Sequence, residues 1–437
     1  MASAACSVSE SKAELSTHGK SIYKTSAVVF AANIAYLGLG FLANLIVVRA
    51  LSPQAFGVLS IALALLIILQ EVCGGGIDVT MVKFASEHQD RAVSIYRTAL
   101  QLKIIVNASL AIILWFCAEP IAQLAFRDAS VALPLQVAGV GAFGSSLYTF
   151  LLARLQAEQR FFAYSVHRVF NNTVKCGLLA LLWWMGALQL TQALWVTAGV
   201  FLVSSAIGMF WLDRKELLPI RLESAASFRS LLIFGGAVTL SRVLFTLYSR
   251  IDLLFLGHYW TKADVAVYSV AGNMAYLIDL CTYSVILTLL PHASRLKGAE
   301  DLRQYAKRTL RLCSMFAAVL LPLFLFAPFI TPLLFGQRYA EAAGLFRILF
   351  AGCIGTLLVH PLYLILYARN RPMMLLFADG VLVITSVVCN LTLTPAWGAL
   401  GAATGSVIAR LCGCIAIVLL LWIELRQPER SHNLKTV

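Results

Sequence analysis

The chain has 437 residues, 60% of them hydrophobic and 13% charged, with a formal net charge of +13. A soluble globular protein of this length needs far more polar surface, so that class is excluded. The positive balance flanks apolar blocks, which argues against a nucleic-acid binder and for basic loops facing anionic lipid.

The apolar blocks run for roughly 20 residues, the length that crosses a hydrocarbon core of about 30 Å at about 1.5 Å per helical residue. No alternating ten-residue pattern dominates, so the spans are helices rather than barrel strands. The expected fold is an all-α integral membrane protein with twelve transmembrane helices. Residues 1–26 are polar and lack the apolar core and cleavage site of a signal peptide, so they read as a cytoplasmic tail. Spans are expected near 27–48, 56–78, 98–118, 131–153, 167–186 and 191–212, an N-lobe over 27–212. A charged linker, 213–229, leads to spans near 230–257, 265–290, 309–334, 342–367, 373–394 and 399–423, a C-lobe over 230–423. Residues 424–437 form a second tail.

Orientation follows from Lys and Arg. With a cytoplasmic N-terminus, the inner segments carry twenty-six of the 34, Lys103, Arg168 and Lys175 among them. The outer loops carry only Arg49, Arg127, Lys262, Arg338 and Arg347; Arg242, Arg250 and Arg410 lie within spans. That asymmetry puts both termini in the cytoplasm. The ten cysteines include no CxxC pair, and all but Cys6 lie in or beside apolar spans. They read as packing residues rather than metal ligands or disulfides.

The chain repeats itself. NLIVVRALSPQAFGVLSIA from Asn44 aligns with DLLFLGHYWTKADVAVYSVA from Asp252, and YRTALQLKI from Tyr96 with KRTLRLCSM from Lys307. LQAEQRF from Leu155 aligns with LYARNRP from Leu366, and GALQLTQALWVTAG from Gly186 more loosely with WGALGAATGSVIAR from Trp397. The offset stays near about 210 residues, so the expected architecture is two parallel six-helix repeats.

Span two carries Glu71, three glycines and Asp78, a stretch suited to a bend or close packing. Asp78 and Lys83 read there as an interfacial charge pair. Span seven holds Arg242, Arg250 and Asp252 in an apolar run long enough to cross the bilayer. On a helical wheel these fall with Thr239, Thr246 and Ser249 in one arc of about 160°, opposite a leucine-rich side. Charges at that depth are costly. Two readings stand: a structural pair, with Arg242 against Asp279 of span eight, or a cationic lining for an anionic substrate. Asp379 and Arg410 on the last two spans are expected to pair. Cation coupling would use a buried carboxylate, with Glu71, Asp279 and Asp379 as candidates.

Four stretches, LSPQAFGVLSIA, GGGIDVTMVKFASE, LQAEQRFFAYS and GALGAATGSVIAR, together resemble the polysaccharide transport proteins. These are the Wzx-type flippases of lipid-linked oligosaccharides, in the superfamily of multidrug and toxin extruders and lipid II flippases. The resemblance covers nearly the whole chain. It implies a V-shaped pair of lobes around a central cavity lined by helices one, two, seven and eight. On this sequence that favours Asn33, Asn44, Glu71, Arg242, Arg250, Asp252 and Asp279 as substrate-binding positions. The implied activity is translocation of polyprenyl-diphosphate-linked glycan, such as O-antigen or exopolysaccharide repeat units, across a bacterial inner membrane. It needs no cofactor and no metal. Membrane lipid and the polysaccharide polymerase and export machinery are the implied partners. Two features depart from the superfamily: the chain stops at twelve spans, and span one offers Asn33 and Asn44 where drug extruders often carry an acid.

Two other functions compete. A cation-coupled multidrug antiporter would share the fold. A membrane-embedded polysaccharide polymerase or glycosyltransferase would need a large catalytic outer loop or a DxD pair, and the sequence has neither. No Ser-His-Asp or HExxH arrangement is present, so the chain is read as a non-enzyme.

Overall fold

A computed structural model of the chain describes residues 29, 31–210, 225–293, 299–369 and 372–426. The expected N-terminal tail, most of the 213–229 linker and the C-terminal tail from residue 427 lie outside the described residues. The described residues are helical throughout their ordered elements, with no strand. Nine helical segments among them are long and apolar enough to cross a membrane. The protein is therefore a multi-pass membrane protein. Its surface agrees: Phe116, Leu124, Trp184 and Phe329 are all more exposed than buried, which lipid tolerates and water does not.

The helices follow the apolar blocks but overrun them. They are α1 (Ala31–Ala50), α2 (Pro53–Gln70), α3 (Gly76–Glu87), α4 (Ala92–Phe126), α5 (Ala132–Ala157), α6 (Phe161–Trp184) and α7 (Leu190–Phe210). There follow α8 (Ala225–Tyr259), α9 (Lys262–Ala293), α10 (Ala299–Leu325), α11 (Ala327–Phe335), α12 (Ala342–Val359), α13 (Leu364–Ala368) and α14 (Pro372–Arg426). Pro53 opens α2, where a missing N–H is harmless, and the Ser52 hydroxyl accepts the Ala55 amide at 3.3 Å. The glycine run does bend its span: Glu71–Gly75 is a π-helical turn between α2 and α3. His360-Pro361 ends α12 in a 3-10 turn, His360–Tyr363, because proline cannot continue the ladder. Helix α14 has 55 residues, at about 1.5 Å each far longer than one crossing. It breaks at Gly398, whose φ is 56° and ψ is −132°. A Cβ there would meet the Trp260 ring at 2.9 Å, so glycine is required on both counts. Helices α6 and α8 are of spanning length without being among the nine apolar segments, and both carry charges within them.

The chain forms two compact units. The first comprises Met1–Leu51, Leu69–Glu119 and Ala132–Leu240. Its core joins Ile77 and Met81 of α3, Tyr96 and Ala99 of α4, and Phe150 and Ala153 of α5. The second comprises Ser52–Ile68, Pro120–Val131 and Ser241–Val437. Its core includes Leu302, Leu364, Ile365, Leu366, Ala378, Ile417 and Leu421. Segments of the N-terminal half of the sequence are thus built into the second unit. There, the His258 Nδ1 lies 2.5 Å from the Ala125 carbonyl, and the Lys262 ammonium donates to the Gly257 and Phe126 carbonyls.

Candidate functional site

In the second unit, Arg242, Arg250 and Asp252 of α8 lie in three different settings. Arg242 is exposed. Arg250 is half-buried; its Nε is buried without a hydrogen-bond partner, and no carboxylate lies within ion-pair distance among the described residues. Asp252 is buried. Its Oδ2 accepts the Tyr268 hydroxyl and its Oδ1 the Asn390 amide, each at 2.6 Å. Asn390 is itself tied to Ser386 and Thr394. Asp252 is therefore a saturated knot joining α8, α9 and α14, while Arg250, two residues away, is not.

Asp279 is not held by Arg242, and Arg410 is not held by Asp379, as the sequence had suggested. Arg410 and Asp279 pair with each other in a two-pronged bridge, NH1 to Oδ1 at 2.8 Å and NH2 to Oδ2 at 2.9 Å. The Arg410 guanidinium also lies 5.9 Å from the Tyr248 ring centroid. The fork geometry matches a carboxylate and ties α9 to α14 through two charge-assisted hydrogen bonds. Asp379 is exposed and makes no hydrogen bond or ion pair with a described residue.

In the first unit, Glu71 opens the π turn. Asp78 forms an ion pair with Lys103 at 2.5 Å. Lys103 is fully buried and also donates to the Ser146 carbonyl and the Thr149 hydroxyl at 3.0 and 2.9 Å. A Cβ at Gly74 would crowd its Cε at 3.1 Å, so the glycine run makes room for a buried lysine. Asn33 and Tyr36 of α1 cradle Arg168 of α6: NH1 donates to the Asn33 Oδ1 at 2.6 Å, and the guanidinium sits 4.1 Å from the Tyr36 ring centroid. Tyr164 lies on it as well, at 5.5 Å. The Asn172 amide donates to the Tyr36 carbonyl at 2.7 Å, fixing α1 on α6. The Asn44 Oδ1 is buried without a partner.

Lys103 lies within α4, and Arg168 and Lys175 within α6. A helical wheel of 161–184 would have exposed the pattern, since its polar residues share one arc.

The arrangement offers hydrogen-bonding cations and amides. Among the described residues no three His, Cys, Asp or Glu side chains converge as metal ligands. Comparison with known proteins bears on what it serves. The profile of a family described as "Polysaccharide biosynthesis protein" matches residues 46–344. A curated relative, the probable flippase AglR of Haloferax volcanii, is 23% identical over 90% of this chain and 82% of that protein. Among solved structures, the lipid II flippase MurJ in an inward closed conformation superposes with a TM-score of 0.73 at 15% identity, covering 91% of this chain and 89% of that one. An inward-facing multidrug resistance MATE family transporter of the MOP superfamily gives 0.73 at 18% identity, over 90% and 98%. These likenesses show that the fold is shared with MurJ and MATE transporters.

Proposed function

The chain belongs to the polysaccharide biosynthesis protein family, and from that premise we propose that it flips polyprenyl-diphosphate-linked oligosaccharide repeat units across a bacterial inner membrane, for surface polysaccharide synthesis. The observation that carries the reading is Arg250: a half-buried cation within a membrane helix, with an unpaired Nε and no carboxylate beside it. Such a charge is expensive unless something anionic visits it. A diphosphate fits, because guanidinium and phosphate form short, paired, charge-assisted hydrogen bonds.

In this reading Arg250 and the exposed Arg242 receive the diphosphate. The glycan travels among polar side chains, and the polyprenyl tail stays in lipid. Asn33, Asn44 and Glu71 belong to the polar lining, Asn33 through its hold on Arg168. Asp252 and Asp279 act by holding α8, α9 and α14 in register rather than by meeting the substrate. The two six-span halves, 27–212 and 230–423, exchange access between the two faces, with both termini cytoplasmic. Nothing covalent happens to the cargo. The AglR likeness, a probable flippase over most of both chains, supports this over drug export.

The test is transport by the purified full chain in vesicles containing a fluorescent short-chain polyprenyl-diphosphate saccharide. Wild type should carry the dye between leaflets. Arg250→Ala should slow it by on the order of tenfold or more, as expected for losing a charged hydrogen bond worth about 1.5–3 kcal/mol. Arg250→Lys should be milder. Equal rates for wild type and Arg250→Ala would remove the arginine from the account.

A further inference from the structure

Helix α6 carries two cations for which the α8 site gives no use. On a wheel at about 100° per residue, Tyr164, Arg168, Asn171, Asn172 and Lys175 share one arc of about 100°. The opposite arc holds Phe162, Val166, Phe170, Leu181 and Trp184, between 37% and 85% exposed. The apolar arc suits lipid, so the charged arc faces inward; Asn171 and Asn172 are indeed buried.

Neither cation is neutralised by a described residue. Arg168 has the Asn33 oxygen and two tyrosine rings, with no carboxylate. Stacking fixes the plane of its guanidinium, and its remaining N–H donors have no acceptor among the described residues. Lys175 is half-buried and makes no hydrogen bond or ion pair with any described residue. It sits about 21 Å along α6 from Phe161 and about 14 Å from Trp184, well inside the helix. An unpaired ammonium at that depth marks a place an anion comes to.

We infer that the charged arc of α6, in the first unit, is an anion-binding site in which Lys175 and the cradled Arg168 take an oxyanion of the translocated headgroup. The inference rests on the flippase reading. The oxyanion is a phosphate of the lipid carrier or a carboxylate of an acidic sugar. Lys175 supplies the mobile charge and Arg168 the oriented one.

The experiment is binding to the full chain in lipid nanodiscs, with three probes: farnesyl diphosphate, an oligosaccharide of glucuronic acid, and its neutral glucose counterpart. Lys175→Gln should weaken one of the anionic probes by about tenfold, with Lys175→Arg restoring most of it. The neutral probe should be unaffected. A loss for farnesyl diphosphate assigns the oxyanion to the carrier, and a loss for the glucuronate assigns it to the glycan. Arg168→Gln serves as the second variant, with the same expectation, should Lys175→Gln not fold. Unchanged affinity for both anionic probes in folded variants overturns the inference. If Arg250→Gln still weakens farnesyl diphosphate in that case, the flippase reading survives alone. A wild type that binds neither anionic probe overturns both.

Discussion

Arg410 and Asp279 meet through two hydrogen bonds in a setting where each is mostly shielded. Removing one partner strands the other, so Arg410→Ala should lower stability by about 3–5 kcal/mol, read as a lower thermal midpoint in detergent. Arg410→Met combined with Asp279→Leu should recover most of that loss, since a buried pair is often replaceable by apolar packing. A double variant as unstable as both singles added together would show that the two do not act as a pair. The sequence made the polar arc of α8 legible, because periodicity gives direction. It could not give the partner: Arg410 lies 131 residues from Asp279, and a wheel says which way a side chain points but not what waits there. Asp252 is the same case. Its arc was visible, and its burial against Tyr268 and Asn390 was not.

At the scale of elements, glycines decide where helices approach. A Cβ on Gly57 would overlap the Lys262 backbone carbonyl, which cannot swing aside as a side chain can. Gly57→Ala should therefore force α2 away from the start of α9, at about 1–3 kcal/mol for overpacking, measured as a drop in thermal midpoint. An unchanged midpoint would mean that the two helices are not in that contact. Gly398→Ala should do at least as much harm, because it adds a left-handed φ to the clash with Trp260. The bend at EVCGGG and the break at His360-Pro361 were readable from residue type alone. The helix ends were not. Span three, expected at 98–118, is helical over Ala92–Phe126, and Lys103 is buried within it. Span five, expected at 167–186, is helical from Phe161 to Trp184.

For the whole molecule, composition sufficed to put the chain in a membrane, and the ordered motifs sufficed for the family. The proposed chemistry of the cargo rests above all on Arg250, whose Nε is buried without a hydrogen-bond partner among the described residues. The most direct measurement is made in cells lacking the protein, by extracting polyprenyl-diphosphate lipids and determining on which face of the membrane the glycan-bearing ones sit. The account predicts that complete repeat units accumulate on the cytoplasmic face, and that wild type but not Arg250→Ala, at equal protein level, returns them to the outer face. A normal distribution of these lipids without the protein would contradict it.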